Sequence, residues 1–466
     1  MRSLRRIVQR PISDNPYSFK RYDIPLNKLG SPHIDRRSVY TFFGISVLTF
    51  LAKMAIVGKE LVIAGRYGRN DAIDAFLLAF LIPSFIATLL GNALSAAFIP
   101  VYLRYKEKEG PGAARQLVAG MAGLQIAAAA ILALSIWLAG PFYLPGIASG
   151  FGGPKIALSY RLLEVLVPYV FLSGIVAYWS AVLNAEEQFP VVVLSPILSP
   201  LVITAGLFLF PSGGIYVVAY GTLRGIGGEV LVLGTALRRK GFTLLPRWEG
   251  WSAPIRTFIR QFVPSVAGAF LMGSTLLVDQ AMAAMLPAGS VAALSYGNKV
   301  IGFLLTILTT TLATLLTPYF SKKLITAAPD RVWKPLGQLL LVVIPIAFLL
   351  SLAISVWAVP LVRLIFYRGA FTLNDVRWVA GVQSWLAWQI PFYISSVILV
   401  RFIAAMQQNW IIPYIAAGNV VLNITLNFLL MRRMGVEGIA LSTSLVHLCS
   451  FLLLLSFIYF SKKSRQ

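Results

Sequence analysis

The chain is 466 residues long, 58% hydrophobic and only 12% charged, with a mean hydropathy of +0.78. That composition excludes an ordinary soluble globular domain, and repeated apolar runs of about 20 residues indicate an all-α polytopic membrane protein. The formal net charge of +23 comes from 40 Lys and Arg against 17 Asp and Glu. The basic residues sit largely in loops and tails, where they set topology, so nucleic acid is not an expected partner.

Residues 1–37 read as a basic tail without the apolar core of a cleavable signal peptide. Helices are expected at 38–64, 72–103, 116–142, 157–184, 190–210, 214–237, 257–286, 291–320, 336–359, 379–404, 410–431 and 437–460, about twelve spans. The amino tail, RYKEKEG (104–110), RRKGFTLLPR (238–247), the lysines after Ser321 and the closing tail 461–466 fall on one side. By the positive-inside rule that side is cytoplasmic, and an even number of spans puts both termini there.

The pattern near Pro100 returns near Pro318, that around Pro168 returns at Pro391, and that around Pro190 returns at Pro413. An offset of about 220 residues runs through all three pairs, which indicates an internal repeat. The domains expected are an amino-terminal six-helix lobe (38–240), a cytoplasmic linker (241–256) and a carboxy-terminal six-helix lobe (257–460). Two six-helix parallel repeats would enclose a central cavity, the natural substrate position.

The first span carries Lys53, Lys59 and Glu60, and the second opens near Asp74. A charge at membrane depth costs about 2.5–3.5 kcal/mol even on the gentlest scale, so these side chains should face protein or a water-filled cavity. Lys53 and Glu60 are seven apart and share a helix face, whereas Lys59 points elsewhere unless the helix bends at Gly58. With Lys299 on the eighth span, Lys53 and Lys59 would make a basic pocket for a phosphate or diphosphate, with Glu60 and Asp74 neutralising it when empty. The competing readings are private helix–helix ion pairs and lysines that snorkel to the headgroups.

A second constellation joins Asp279 on the seventh span to Asn423, Asn427 and Thr443 on the last two. One carboxylate with amide and hydroxyl oxygens suits a hard monovalent cation such as sodium. The same groups also serve as interhelical hydrogen-bond glue, and the residue types alone leave both open. Arg401 reads as a snorkelling residue and His447 as an interior histidine. The single cysteine, Cys449, and two distant histidines offer no disulfide framework or thiol metal site. No GxxxxGK[ST] loop, HExxH or GxSxG motif is present, so a transporter without catalytic residues is expected rather than an enzyme.

The runs AKMAIVGKELVIAGRYG (52–68), DAFLLAFLIPSF (74–85), SAAFIPVY (95–102), VLNAEEQFPVVVLSPILSPL (182–201), LPAGSVAALSYGNKVIGF (286–303) and LIFYRGAFTLNDV (364–376) resemble the MurJ/MviN family of lipid II flippases. The resemblance implies two lobes that alternate in access around a cationic cavity in the bacterial inner membrane. It implies a polyprenyl-diphosphate-linked glycan as substrate, with the lipid bilayer and envelope-biosynthesis enzymes as partners. The family's cavity arginines match Lys53, Lys59 and Lys299, its acids match Glu60 and Asp74, and its sodium site matches Asp279, Asn423, Asn427 and Thr443. Lysine keeps the charge of arginine but loses its planar bidentate grip. A further family arginine matches Ala87, and the acid before the eighth-span base matches Asn298. The expected function is a flippase for lipid II or a related lipid-linked glycan. The rivals are an ion-coupled exporter of a soluble drug or metabolite and a non-transporting envelope scaffold.

Overall fold

The computed structural model of the chain describes residues 36–248, 250–326, 330–406 and 408–463. The expectations for the basic amino tail before residue 36 and for the last three residues lie outside them. Contacts divide the chain into two units at Val47, the second of which, Leu48–Gln466, is compact. In the first, the described residues open helix α1 (Arg36–Tyr67).

The described secondary structure is helical. After α1 come α2 (Asp71–Ile147), α3 (Gly153–Ala185), α4 (Phe189–Leu194), α5 (Leu198–Leu209), α6 (Tyr216–Arg239), α7 (Ala253–Ala283) and α8 (Ser290–Thr326). The remainder are α9 (Asp330–Val356), α10 (Ala358–Phe366), α11 (Leu373–Ala387), α12 (Gln389–Ala405), α13 (Ile411–Met434) and α14 (Val436–Lys463). Among the described residues, ten helical segments are long and apolar enough to cross a membrane. The protein is therefore an all-α polytopic membrane protein.

Three local differences from the sequence expectation have clear causes. The loop expected at 104–110 is helical up to a single break, Gly110, at φ 84° and ψ 172°. Arg104–Glu109 are good helix formers, and only glycine followed by Pro111 interrupts them, which divides α2 into two crossings. The fifth span is not one helix. Pro190, Pro196 and Pro200 remove backbone donors, and a 3₁₀ turn at Ser195–Ile197 separates α4 from α5. The long loop expected near 360–378 contains α10 and then a capping box. The Thr372 hydroxyl accepts from the Asp375 amide, and the Asp375 carboxylate accepts from the Thr372 amide, which starts α11.

The turns after α1 (68–70), α2 (148–152), α5 (210–215), α7 (284–289) and α10 (367–372) meet at one end of the second unit, the Gly68 end. Gly150 lies against Met285, and the Tyr67 hydroxyl donates to the Gly214 carbonyl at 2.6 Å. At the opposite end, Glu186 accepts from Lys106 at 2.6 Å and from the Tyr102 hydroxyl. Burial alone would raise the Glu186 carboxyl, but those hydrogen bonds and the charges of Lys106 and Lys240 outweigh it and hold it below the usual range.

Candidate functional site

The Gly68 end is sealed by charge placed on helix ends. Asp74, in the first turn of α2, is 1% exposed. One carboxylate oxygen accepts from the Gly289 amide at 2.6 Å and from Lys155 Nζ at 2.8 Å, and the other accepts from the Ala292 amide at 2.8 Å. Gly289 and Ala292 lie at the amino end of α8, whose first amides have no partner within the helix. A negative group there also complements the helix dipole. Asp74 therefore ties the amino-terminal half to the carboxy-terminal half.

Other bonds cross between the halves beside it. Arg69 Nε donates to Asp375 at 3.1 Å, its guanidinium lies 3.8 Å from the Trp378 ring centre, and it also donates to the Ala288 carbonyl. The Ala370 amide donates to the Gly65 carbonyl at 2.7 Å, and the Tyr296 hydroxyl to the Gly68 carbonyl at 3.3 Å. Gly68 itself sits at φ +54°, where a Cβ would come within 2.5 Å of the Ala370 oxygen, so no other residue fits that turn.

Below this seal lies a cavity of about 250 Å³ lined by α1, α2, α5, α6 and α8. Lys59, Glu60 and Lys299 sit in its wall. Glu60 receives both lysines, Lys59 at 2.8 Å through one oxygen and Lys299 through the other. The sequence leaves Lys59 pointing elsewhere unless the helix bends at Gly58, and in the structure its long side chain folds onto the neighbouring Glu60 carboxylate inside the cavity. Lys53 is exposed, is not among the lining residues and makes no described ion pair. Asp74 also lies apart from this group, because its acceptor positions are taken by Lys155 and the α8 amides. The structure brings together Lys59, Glu60 and Lys299, and places Asp74 in the seal.

Asp279 is 6% exposed and holds the second constellation together. It accepts from Asn423 Nδ2 at 2.9 Å, from Asn427 Nδ2 at 2.7 Å and from Thr443 Oγ1 at 2.9 Å. The four residues named from sequence therefore meet. Asn427 Oδ1 is buried without a hydrogen-bond partner. Both asparagines turn their amide nitrogens toward Asp279, and Asn427 Nδ2 also lies 3.5 Å from Asn423 Oδ1, so the group is here an interhelical hydrogen-bond cluster, and its oxygens form a set for a monovalent hard cation only with the amides turned over. Asn423 and Thr443 also border a larger cavity, about 570 Å³, whose walls include His447 and Arg401. Arg401 Nε is buried there without a hydrogen-bond partner among the described residues, and the side chain as a whole is half-buried.

Lys155, Arg69, Asp375 and Tyr296 escaped the sequence reading. The first three lie in or beside turns, where a charge ordinarily meets water, and only the convergence of those turns buries them.

A family model described as "Lipid II flippase MurJ" matches residues 63–465. A probable lipid II flippase MurJ from Vibrio cholerae is 25% identical over 430 residues, covering 88% of this chain and 81% of the relative. Among solved structures, a lipid II flippase MurJ in an inward closed conformation superposes with a TM-score of 0.77 at 19% identity, covering 90% of this chain and 87% of that one. An inward-facing multidrug resistance transporter of the MATE family gives 0.74 at 13% identity, covering 89% and 96%. These two likenesses establish a shared fold.

Proposed function

The chain belongs to the lipid II flippase MurJ family, and from that premise we propose that it moves an undecaprenyl-diphosphate-linked cell-envelope precursor, lipid II or a close relative, across the bacterial inner membrane. The observation that carries this reading is one carboxylate, Glu60, shared by two lysines from different halves in a cavity between helices. A diphosphate brings the same kind of charge in greater amount, so it can displace Glu60 from Lys59 and Lys299. The lysines are then bridged by substrate instead of by protein, and the two halves are coupled through the cargo.

The distribution of Lys and Arg assigns the Gly68 end to the outer face and the Lys106 end to the cytoplasm. In the present state the outer end is shut by Asp74, Arg69 and Tyr296, so the headgroup enters from the cytoplasmic side. Exposed Lys53 lies about 9 Å along α1 on that side of Lys59, at helical rise, and meets the diphosphate first. Outward opening requires Asp74 to leave the α8 amides while the polyprenyl tail stays in lipid. Asp279, Asn423, Asn427 and Thr443 would hold a sodium ion. Its binding energy would be available only in the conformation that closes the oxygen set, which couples an ion gradient to the cycle.

Native mass spectrometry of the full chain in detergent tests this, with lipid II and a capsule-type polyprenyl-diphosphate sugar offered in competition. Selective retention of lipid II, lost in Lys299→Ala, supports the assignment. Preference for the other glycan redirects the pathway and keeps the mechanism. Retention of neither turns the assignment to an exporter of soluble substrates.

A further inference from the structure

The cationic cavity does not end at Lys299. A second chamber of about 350 Å³ opens beside it and shares Leu77, Ser295 and Lys299 with the first. Its other walls are Leu81 of α2, Leu276 and Gln280 of α7, and Asn298, Gly302 and Thr306 of α8. The volume lies within the range of small-ligand sites, about 300–1,000 Å³.

The chemistry of the two chambers differs. The first carries three charged side chains. In the second, Lys299 at the junction is the single charged lining residue, and the remaining polar groups are two carboxamides and two hydroxyls. The side chains of Gln280, Ser295 and Asn298 make no hydrogen bond with the described protein, although Gln280 is only 9% exposed. Amides that face a cavity are satisfied by water or by a ligand. Each amide offers both donors and an acceptor, which matches hydroxyl and N-acyl groups on a sugar ring and offers a bare phosphate no countercharge. Leu77, Leu81 and Leu276 add apolar surface for the C–H face of a pyranose. Gly302 lies in the wall, where a Cβ meets nothing within 4 Å, so a larger side chain has open space to enter.

We infer that this chamber is the subsite for the sugar attached directly to the diphosphate, with Gln280, Ser295 and Asn298 as its hydrogen-bonding residues and Lys299 marking the phosphate–sugar junction. The inference rests on the flippase reading above and adds to it the part of the headgroup that the charged cavity does not read. A site built to hydrogen-bond a substrate discriminates against an analogue lacking those groups.

The test compares retention of lipid II and of undecaprenyl diphosphate, which has the same tail and diphosphate but no sugar, by the full chain in detergent. Wild-type protein should favour lipid II by about tenfold or more, the effect of two or three hydrogen bonds. Asn298→Leu and Gly302→Leu should each remove that preference while holding undecaprenyl diphosphate within about twofold of wild type, as expected when only the sugar contacts are lost. Asn298→Gln should restore part of the preference. Equal retention of the two lipids by wild-type protein overturns the subsite and leaves the flippase reading standing. Equal loss of both lipids in Asn298→Leu and Gly302→Leu, at an unchanged melting temperature, also overturns it. Retention of neither lipid by wild-type protein removes the flippase reading and the subsite together.

Discussion

Asp74 and Glu60 are both carboxylates on the first two helices, both are paired with lysine, and both reach residues of α8, yet they occupy opposite environments. The Asp74 side chain is 1% exposed, and its partners are two backbone amides and Lys155. Those amides cannot move without moving α8. Glu60 has only flexible lysines as partners, and the Lys299 side chain remains 32% exposed. A carboxylate saturated by backbone donors is a latch, whereas one held by exchangeable side chains in a cavity leaves room for another anion. The lesson is that the donors around a charge, more than the charge itself, separate structure from binding.

The strongest way to break this comparison is Asp74→Asn. The substitution leaves Lys155 with only the more exposed Asp71 as its ion-pair partner and turns an acceptor into a group that also donates toward the α8 amides. Leaving the buried α8 amides without their anionic acceptor costs about 1–3 kcal/mol, so the sealed state should lose population by about 10-fold or more. A cysteine placed at Ala288 should then become labelled by an impermeant thiol reagent from outside, and transport should fall to background. If labelling and transport match the unmutated protein, Asp74 is not a latch.

Lys299→Ala addresses the other side of the comparison. Affinity for an undecaprenyl-diphosphate lipid should fall about 10- to 100-fold, the loss of one charge-assisted contact. Lys299→Arg should bind at least as well as wild type, because a guanidinium can grip phosphate with two donors. Titration by microscale thermophoresis reads both, and an unchanged affinity in the alanine variant would contradict the exchange of Glu60 for diphosphate.

Asp279 offers a third kind of carboxylate, surrounded by amides and a hydroxyl. Sodium chloride, compared with choline chloride at equal ionic strength, should raise the melting temperature by about 2 °C or more. Asp279→Asn should erase that difference. A sodium effect that survives the substitution places the ion elsewhere.

The smallest effect is expected at Glu186, at the far end from the seal. Its carboxyl is held below the usual value of 4.5 by Lys106 and Tyr102 despite burial. A depressed folded-state value contributes stability above the unfolded-state value, and that contribution is lost as pH falls through the folded value. Glu186→Gln should therefore lower the melting temperature slightly at neutral pH and converge with wild type as pH falls through the depressed folded-state value. Parallel melting curves from pH 7 to pH 3 would show that Glu186 does not carry the acid sensitivity.

The membrane class, the helices and the four residues around Asp279 were legible in the chain itself. Apolar runs of membrane length have one stable solution in lipid, and polar residues inside them must find partners. Asn423 and Asn427 lie one helical turn apart, so their common face follows from helical geometry. The broken fifth span was also within reach, through Pro190, Pro196 and Pro200, although the apolar run concealed it.

Tertiary structure alone decided which acid seals and which acid serves the cavity. Lys53, Lys59, Glu60, Asp74 and Lys299 look equivalent in sequence, as rare charges in apolar helices. Their roles separate only when five turns converge at the Gly68 end, bringing Lys155 and the first amides of α8 onto Asp74 and leaving Glu60 to the lysines below. Hydrophobicity and helical period are properties of neighbouring residues, so they can be read along the chain. The partner of a charge 215 residues away, as Gly289 is from Asp74, is a property of packing.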